Sequence, residues 1–381
     1  MPGKIVFCSN TFWSIINFRK DLIVYLKKSG YEIFVIVSDT DFFGSSQSGL
    51  ADLDIKPIIL PVHRSRFNPF RDGIFFIRIM KTLRRLSPDI VLLFTIKLNI
   101  YGSIACRLLK IPCINTISGL GSGLIHENIK TKLIRRFYSI SLKSSCKVLF
   151  QNKPDGEYFI DRKIIKRDQS GYVPGSGIDV EKYKLPAGRI NRPRKYLFAG
   201  RILKDKGVYE YIEAISELKN DLSENAIFLL GGIVDESNIS GISMKEIRMW
   251  EDLNLISYLG KTDNIVEFFE KADIIVLPSY REGLSRVLLE AASCGKALIT
   301  SDVPGCSDLV KDGVNGFLCK PGDARSLKYT IMRSLNTSDS EILQLGQNGR
   351  RIVIENFNSD IVNRIYLDQI RACLLMPVNN N

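Results

Sequence analysis

Histidine is nearly missing from these 381 residues: His63 and His126 are the only two. The eight cysteines (8, 106, 113, 146, 294, 306, 319 and 373) are scattered, and no two form a Cys-x-x-Cys pair. Zinc sites need those two residue types at close spacing, and secreted scaffolds need dense cysteine pairs. Both readings fall away, and unpaired thiols fit a reducing cytosol. No run of about 18 apolar residues occurs, which argues against a bilayer-spanning helix. Arg19, Lys20 and Asp21 interrupt the apolar start too soon for a signal peptide. What remains is ordinary for a folded chain, 45% hydrophobic and 25% charged. At roughly 150 residues per domain, the length predicts two domains.

Acidic residues are short in one half only. Residues 1–185 carry 29 Lys+Arg against 15 Asp+Glu, whereas residues 186–381 carry 24 against 26. The whole net charge of +12 therefore lies in the first half. Such asymmetry points to an anionic partner: nucleic acid, an acidic membrane or a phosphorylated substrate. Nothing resembles a zinc finger, an RNP strand or a recognition helix, so no nucleic acid is expected. Two basic stretches have helical periodicity. Over 129–147, Ile129, Leu133, Phe137 and Ile140 share a face, with Lys130, Lys132, Arg135, Arg136 and Lys143 around it. Over 69–86, Phe76, Ile79, Met80 and Leu83 lie beside Arg78, Lys81, Arg84 and Arg85. Either helix can rest on an anionic membrane, or pack its apolar side inward and leave a solvated basic face.

Short apolar runs at 4–8, 32–37, 57–61, 90–94, 113–117 and 147–151 read as strands, with helices predicted near 17–29 and 69–86. A turn-rich stretch, Val173-Pro-Gly-Ser-Gly-Ile-Asp179 with Pro186, Gly188 and Pro193, breaks the rhythm. The pattern restarts with strands at 196–199, 226–230, 257–259, 274–277 and 297–300, a helix over 208–219 and a last helix over 359–375. Continuous apolar runs between helical patterns mark parallel sheets covered on both faces. The expectation is an α/β chain of two Rossmann-like, doubly wound parallel-sheet domains facing a cleft, with ligands at the carboxyl ends of the strands. The domains are placed at 1–172 and 173–356, with a helix over 357–376 returning to the first.

The sharpest constellation lies in the second half. The loop Pro278-Ser-Tyr-Arg-Glu-Gly283 follows a strand and leads into a helix, a geometry that aims free amides and a positive dipole end at an anion. Glu282 and Glu290 stand eight residues apart, too far to share one atom but able to hold two ends of one elongated ligand. In Gly200-Arg201-x4-Lys206-Gly207, two glycines bracket two cations that can reach a diphosphate, Arg201 in bidentate fashion and Lys206 as a point charge. Gly231-Gly232 and Gly260-Lys-Thr-Asp263 end two further strands.

These segments, with Tyr258-Leu-Gly260 and Asp302-Val-Pro-Gly-Cys306, resemble the family-4 retaining glycosyltransferases of the GT-B fold over nearly the whole chain. The resemblance implies that the second domain binds a UDP-sugar. Arg201 and Lys206 would then neutralise the diphosphate, Glu282 would face the donor sugar and Glu290 the ribose. Gly200, Gly231, Gly232, Gly283, Leu284 and Ser285 would line the donor, and Lys261, Thr262 and Asp263 would flank the base. In the first half Asn17, Arg19, Arg64, Arg66, Asn68 and Lys97, with Gly119-Leu-Gly-Ser122, are similar to bacterial enzymes that extend undecaprenyl-diphosphate-linked sugars for O-antigen, capsule or N-glycan assembly. The implied acceptor is a lipid-diphosphate saccharide, the implied donor UDP-GalNAc, and the implied location the cytoplasmic face of the bacterial inner membrane. Three departures stand out. Ser9-Asn-Thr-Phe-Trp13 replaces a Gly-Gly loop, Thr95-Ile-Lys97 stands where a histidine is common, and Ser285 where proline is common. Asp39-Thr-Asp41 and Asp52-Leu-Asp54 have the form of metal-binding triplets. With cations already placed for the diphosphate, neither a metal nor another cofactor is expected. His63 and His126 are read as packing or surface residues. The rival readings are a nucleotide-sugar epimerase of the same fold and a non-catalytic anion- or membrane-binding module.

Overall fold

The computed structural model describes residues 3–39, 53–61, 68–120, 129–222 (save 186, 187, 189 and 191) and 225–375 (save 237 and 239). The chain forms two compact units, one of Met1–Gly177 with Ser359–Asn381 and one of Ile178–Asn358.

The first unit alternates β1 (Lys4–Thr11), α1 (Phe12–Lys28), β2 (Glu32–Asp39), β3 (Ile58–Ile59), α2 (Pro69–Leu86), β4 (Ile90–Phe94), α3 (Ile96–Leu109), β5 (Cys113–Ile117), α4 (Ile129–Ser141), β6 (Lys147–Phe150), α5 (Lys153–Asp161) and β7 (Ser170–Tyr172). Its seven strands are ordered β3-β2-β1-β4-β5-β6-β7, and every pairing is parallel. Period-two alternation divides β1 between two cores. Ile5 and Phe7 join Phe12, Ile15 and Leu26 on one face, while Val6 and Cys8 join Phe75, Ile79 and Leu83 on the other. Each such fully buried side chain stabilises the fold by about 1.5–3 kcal/mol.

The second unit runs β8 (Arg194–Ala199), α6 (Val208–Leu222), β9 (Ala226–Gly231), α7 (Met244–Asp252), β10 (Ser257–Tyr258), α8 (Val266–Glu270), β11 (Ile274–Leu277), α9 (Arg286–Ser293), β12 (Ala297–Ser301), β13 (Gly316–Cys319), α10 (Ala324–Asn336) and α11 (Asp339–Asn356). Its sheet is ordered β10-β9-β8-β11-β12-β13, again all parallel. The last helix, α12 (Ser359–Leu375), belongs to the first unit. Val362, Tyr366, Leu367, Ile370 and Cys373 enter the same core as Ile5 and Phe7, and the Tyr366 hydroxyl lies 2.8 Å from Thr116 Oγ1 on β5.

Four elements differ from the sequence reading. Helix α1 starts at Phe12 rather than near Asn17, because Thr11 caps it by accepting from the Ser14 amide at 3.0 Å. Helix α4 stops at Ser141, and Leu142–Ser144 tightens into a 3-10 turn before β6. Strands β7 and β13 were not expected. Ser170-Gly-Tyr172 is too short and polar to read as a strand, and Gly316-Phe-Leu-Cys319 opens on a glycine.

Candidate active site

Both sheets reverse their winding once, between β1 and β4 and between β8 and β11, and at such a switch point adjacent loops part to leave a ligand crevice. In the second unit the candidate loops stand side by side because their strands do. Gly260 follows β10, Gly231-Gly232 ends β9, Gly200-Arg201 follows β8, Pro278–Gly283 follows β11 and Asp302–Cys306 follows β12. The Gly200 amide donates to Gly231 O at 3.1 Å and the Gly232 amide to Gly260 O at 2.8 Å. A Cβ at Gly232, whose φ is +148°, would sit 1.6 Å from Gly200 O, so only glycine allows this spacing.

Across the switch point the contact is equally close. A Cβ at Gly207 would lie 2.2 Å from Pro278 O. Absence of that Cβ lets the β8 loop lie against the β11 loop, and the Tyr280 amide donates to Asp205 O at 3.0 Å. Lys206 Nζ donates to Glu282 Oε1, and Ser279 Oγ donates to the same oxygen at 2.9 Å. Both charged side chains are largely covered, 18% exposed for Lys206 and 13% for Glu282. Lysine carries three donors, so the ammonium keeps capacity for an anion beside this pair. Arg201 is exposed and makes no ion pair among the described residues.

Helix α9 begins beside the pair. Its cap residue, Ser285, makes no side-chain bond to the first-turn amides. Gly283 and Leu284 are buried, and the amides of Glu282 and Ser285 donate to Pro304 O and Gly305 O of the β12 loop. Glu290 lies one turn into the helix, 8% exposed, and accepts from Arg286 Nε at 2.8 Å. Lys261 and Asp263 are exposed, and Thr262 Oγ1 accepts from the Asn264 amide at 3.0 Å, which folds that loop on itself. The structure therefore gathers Gly200, Lys206, Gly232, Glu282, Gly283 and Ser285 on one sheet edge.

The first-unit candidates divide. Arg64 and Arg66 lie outside the described residues, as do His63, His126, Asp41, Asp52 and Ser122. Asn17 is exposed, its amide donating to Trp13 O at 2.9 Å. Asn68 caps α2 by accepting from the Arg71 amide at 3.1 Å. Arg19 is buried, its guanidinium 4.1 Å from the centre of the Phe94 ring and 6.0 Å from that of Tyr366. Lys97 is buried too. Its Nζ donates to Asp72 Oδ1 at 2.8 Å, while Tyr101 donates to Asp72 Oδ2 at 3.1 Å. Its charge is matched inside the fold, across the α2–α3 contact. At the switch point itself stands Thr95, with φ +73°, a costly value for a β-branched residue. Its hydroxyl donates to Asn10 Oδ1 at 2.8 Å instead of capping α3.

Sequence reasoning assigned no role to Ser279, Asp72 or Arg286. Ser279 had a local signal, three residues before Glu282 in the same loop. Asp72 had none, because its partner comes from the next helix.

Two parallel-sheet units, one carrying a cation–carboxylate pair beside the N-terminus of α9 at its switch point, define a GT-B glycosyltransferase. Solved structures share the fold across nearly the whole chain. Sucrose-phosphate synthase from Thermosynechococcus elongatus has TM-score 0.79 and 18% identity, covering 97% of this chain and 98% of its own. Anabaena HepE in complex with UDP and glucose has TM-score 0.78 and 18% identity, covering 97% and 100%. A glycosyl transferase 4-like family model matches residues 4–152, and the glycosyl transferases group 1 model matches 179–352. The N,N'-diacetylbacillosaminyl-diphospho-undecaprenol α-1,3-N-acetylgalactosaminyltransferase of Campylobacter jejuni is 31% identical over 96% of this chain and 97% of its own. The UDP-Gal:α-D-GlcNAc-diphosphoundecaprenol α-1,3-galactosyltransferase of Escherichia coli is 25% identical over 84% and 85%. The chain belongs to the group 1 glycosyltransferases.

The Lys97–Asp72 pair yields a stability test. Both side chains are 4% exposed, so Asp72→Asn takes the carboxylate from a buried ammonium and should cost about 3–5 kcal/mol. Adding Lys97→Met should restore most of that loss. Urea midpoints of the two variants and the parent measure it, and equal midpoints in Asp72→Asn and the parent would show that the pair is not buried.

Proposed function

We propose that this glycosyltransferase moves a sugar, GalNAc as first choice, from its UDP conjugate to an undecaprenyl-diphosphate-linked saccharide with retention of configuration, in assembly of a bacterial surface polysaccharide. The observation that carries it is the Lys206–Glu282 pair beside the N-terminus of α9. The names of the Campylobacter and Escherichia relatives support the lipid-linked acceptor. In this reading Arg201, Lys206 and the α9 amides take up the charge of the departing diphosphate, Glu282 faces the donor sugar and Glu290 the ribose. Gly231, Lys261, Thr262, Asp263 and Leu284 complete the donor side. The acceptor hydroxyl attacks the face from which UDP leaves, and the leaving phosphate takes its proton. Positioning and electrostatics do most of the work, and no metal is required.

The reading places the enzyme on the cytoplasmic face of the inner membrane, docked on anionic lipid. No helix among the described residues is long and apolar enough to cross a membrane. Helix α4 does not turn its apolar side inward: Leu133 is 53% exposed and Phe137 40%, and with Ile140 they form an i, i+4, i+7 stripe. Lys132, Arg136 and Lys143 are exposed beside it, whereas Arg135 is half-buried and does not belong to that surface. Helix α2 buries Phe75, Ile79 and Leu83 but leaves Phe70, Ile74 and Ile77 outside, with Arg71, Arg78 and Lys81 exposed near them. Apolar stripes flanked by cations are what an anionic interface attracts.

Three outcomes test the reading. Steady-state kinetics with a UDP-GalNAc donor and a synthetic lipid-diphosphate saccharide should show Lys206→Ala lowering kcat by on the order of 10²–10³. Glu282→Gln should lower kcat and relax donor choice, and Glu290→Gln should mainly raise the donor KM. Because Lys206 and Glu282 touch, the double variant should fall well short of the product of the single losses. Full activity in both Lys206→Ala and Glu282→Gln would place the chemistry elsewhere.

In the same assay EDTA should leave most activity; complete loss restored by manganese would move the chemistry to a carboxylate–metal centre.

Vesicle flotation tests the membrane surface. Binding should need acidic lipid and weaken with salt, each cation contributing about 1 kcal/mol. Phe137→Asp with Arg136→Glu and Lys143→Glu should release the protein while nucleotide binding persists. Undiminished flotation of that variant would remove α4 from the docking surface.

A further inference from the structure

A cation at the first residue of a helix opposes the helix dipole, yet Arg286 opens α9. Its pairing with Glu290, in the order Arg then Glu, is also the weaker orientation of an i, i+4 ion pair. Helix stability therefore does not explain the residue. Its geometry does: Nε donates to Glu290 Oε1 at 2.8 Å, and the guanidinium carbon lies 5.7 Å from the centre of the Tyr183 ring. Tyr183 packs its ring against the guanidinium, with its hydroxyl within electrostatic reach of Arg286 and Glu290. Burial, with the nearby charge of Glu290, pushes that hydroxyl up to about 12, so it remains a donor at neutral pH.

Tyr183 is itself fixed by its main chain. Its carbonyl accepts from Ser293 Oγ at 2.9 Å and from Arg350 at 3.0 Å, and Arg350 also donates to Val180 O at 3.2 Å. The segment before β8 is thereby fastened to the far end of α9. A carboxylate has about four lone-pair sites, so the bond from Arg286 leaves room for two hydroxyl donors.

We propose that Arg286 and Tyr183 are positioning residues that hold the Glu290 carboxylate in one rotamer for a vicinal diol, so that this clamp sets how strongly the enzyme prefers a ribonucleotide over its deoxy analogue. The inference rests on the reading of Glu290 as the ribose-binding residue. Calorimetric titration of the full chain with UDP and with 2′,3′-dideoxy-UDP tests it without turnover. The parent should favour UDP by about 10- to 100-fold, the range for hydrogen bonds to a charged group. Arg286→Met should cut that ratio at least threefold, Arg286→Lys should keep more of it, and Tyr183→Phe should lower it while the ring stays packed. A purely structural role would weaken both ligands alike and leave the ratio untouched, and that result in both Arg286→Met and Tyr183→Phe overturns the clamp. Should Arg286→Met not fold, the ratio in Tyr183→Phe decides. Glu290→Gln separates the two levels: if it keeps the parent ratio, the ribose reading itself fails and the clamp with it.

Discussion

The closeness of two backbones at the β8–β11 switch point governs the rest of the second unit. Neighbouring parallel strands lie a fixed hydrogen-bonding distance apart, so the loops leaving them can touch only where side chains are absent. Gly207 against Pro278 meets that condition. Without it Lys206 could not reach Glu282, and Tyr280 could not donate to Asp205. Glu282 in turn is braced from behind by Pro304 and Gly305 of the β12 loop. The cation and the carboxylate are thus parts of one small, tightly spaced object rather than two independent surface charges.

The charges of the chain follow a division of labour set by solvent. Inside the first unit, Asp72 and Lys97 neutralise each other, and Arg19 lies over Phe94 as a flat, weakly hydrated cation that tolerates burial. Outside, Arg78, Arg136 and Lys143 are exposed beside apolar side chains that stay about half-exposed. A solvated basic face alone would need no explanation. The same face carrying Leu133, Phe137 and Ile140 does, because each exposed apolar group forgoes burial free energy that a core position would supply.

The two switch points are built differently. In the second unit, glycines give the loops their close approach. In the first, Thr95 holds a left-handed backbone and spends its hydroxyl on Asn10, so the β4 edge is shaped by a strained side-chain bridge.

Much of this protein could be read before folding. Apolar runs of four to six residues separated by helical patterns specify buried parallel strands, and Gly200, Lys206, Gly207 and Glu282 stand out because a glycine-bounded loop after a strand has few other uses. Strand order, by contrast, is a property of the folded sheet, and it alone puts the Lys206 loop next to the Glu282 loop rather than beside the Lys261 loop. Burial was also decided there. Lys97 and Lys206 look alike in a sequence, but the helix packed over Lys97 brings Asp72 to it, whereas Lys206 stands at an open sheet edge. Helix α4 shows the same limit from the other side, since periodicity groups Leu133, Phe137 and Ile140 on one face but does not say whether that face meets a core or water. Local patterns depend on neighbours within a few residues; partners such as Asp72 for Lys97 are chosen by the path of the whole chain, which no local pattern encodes.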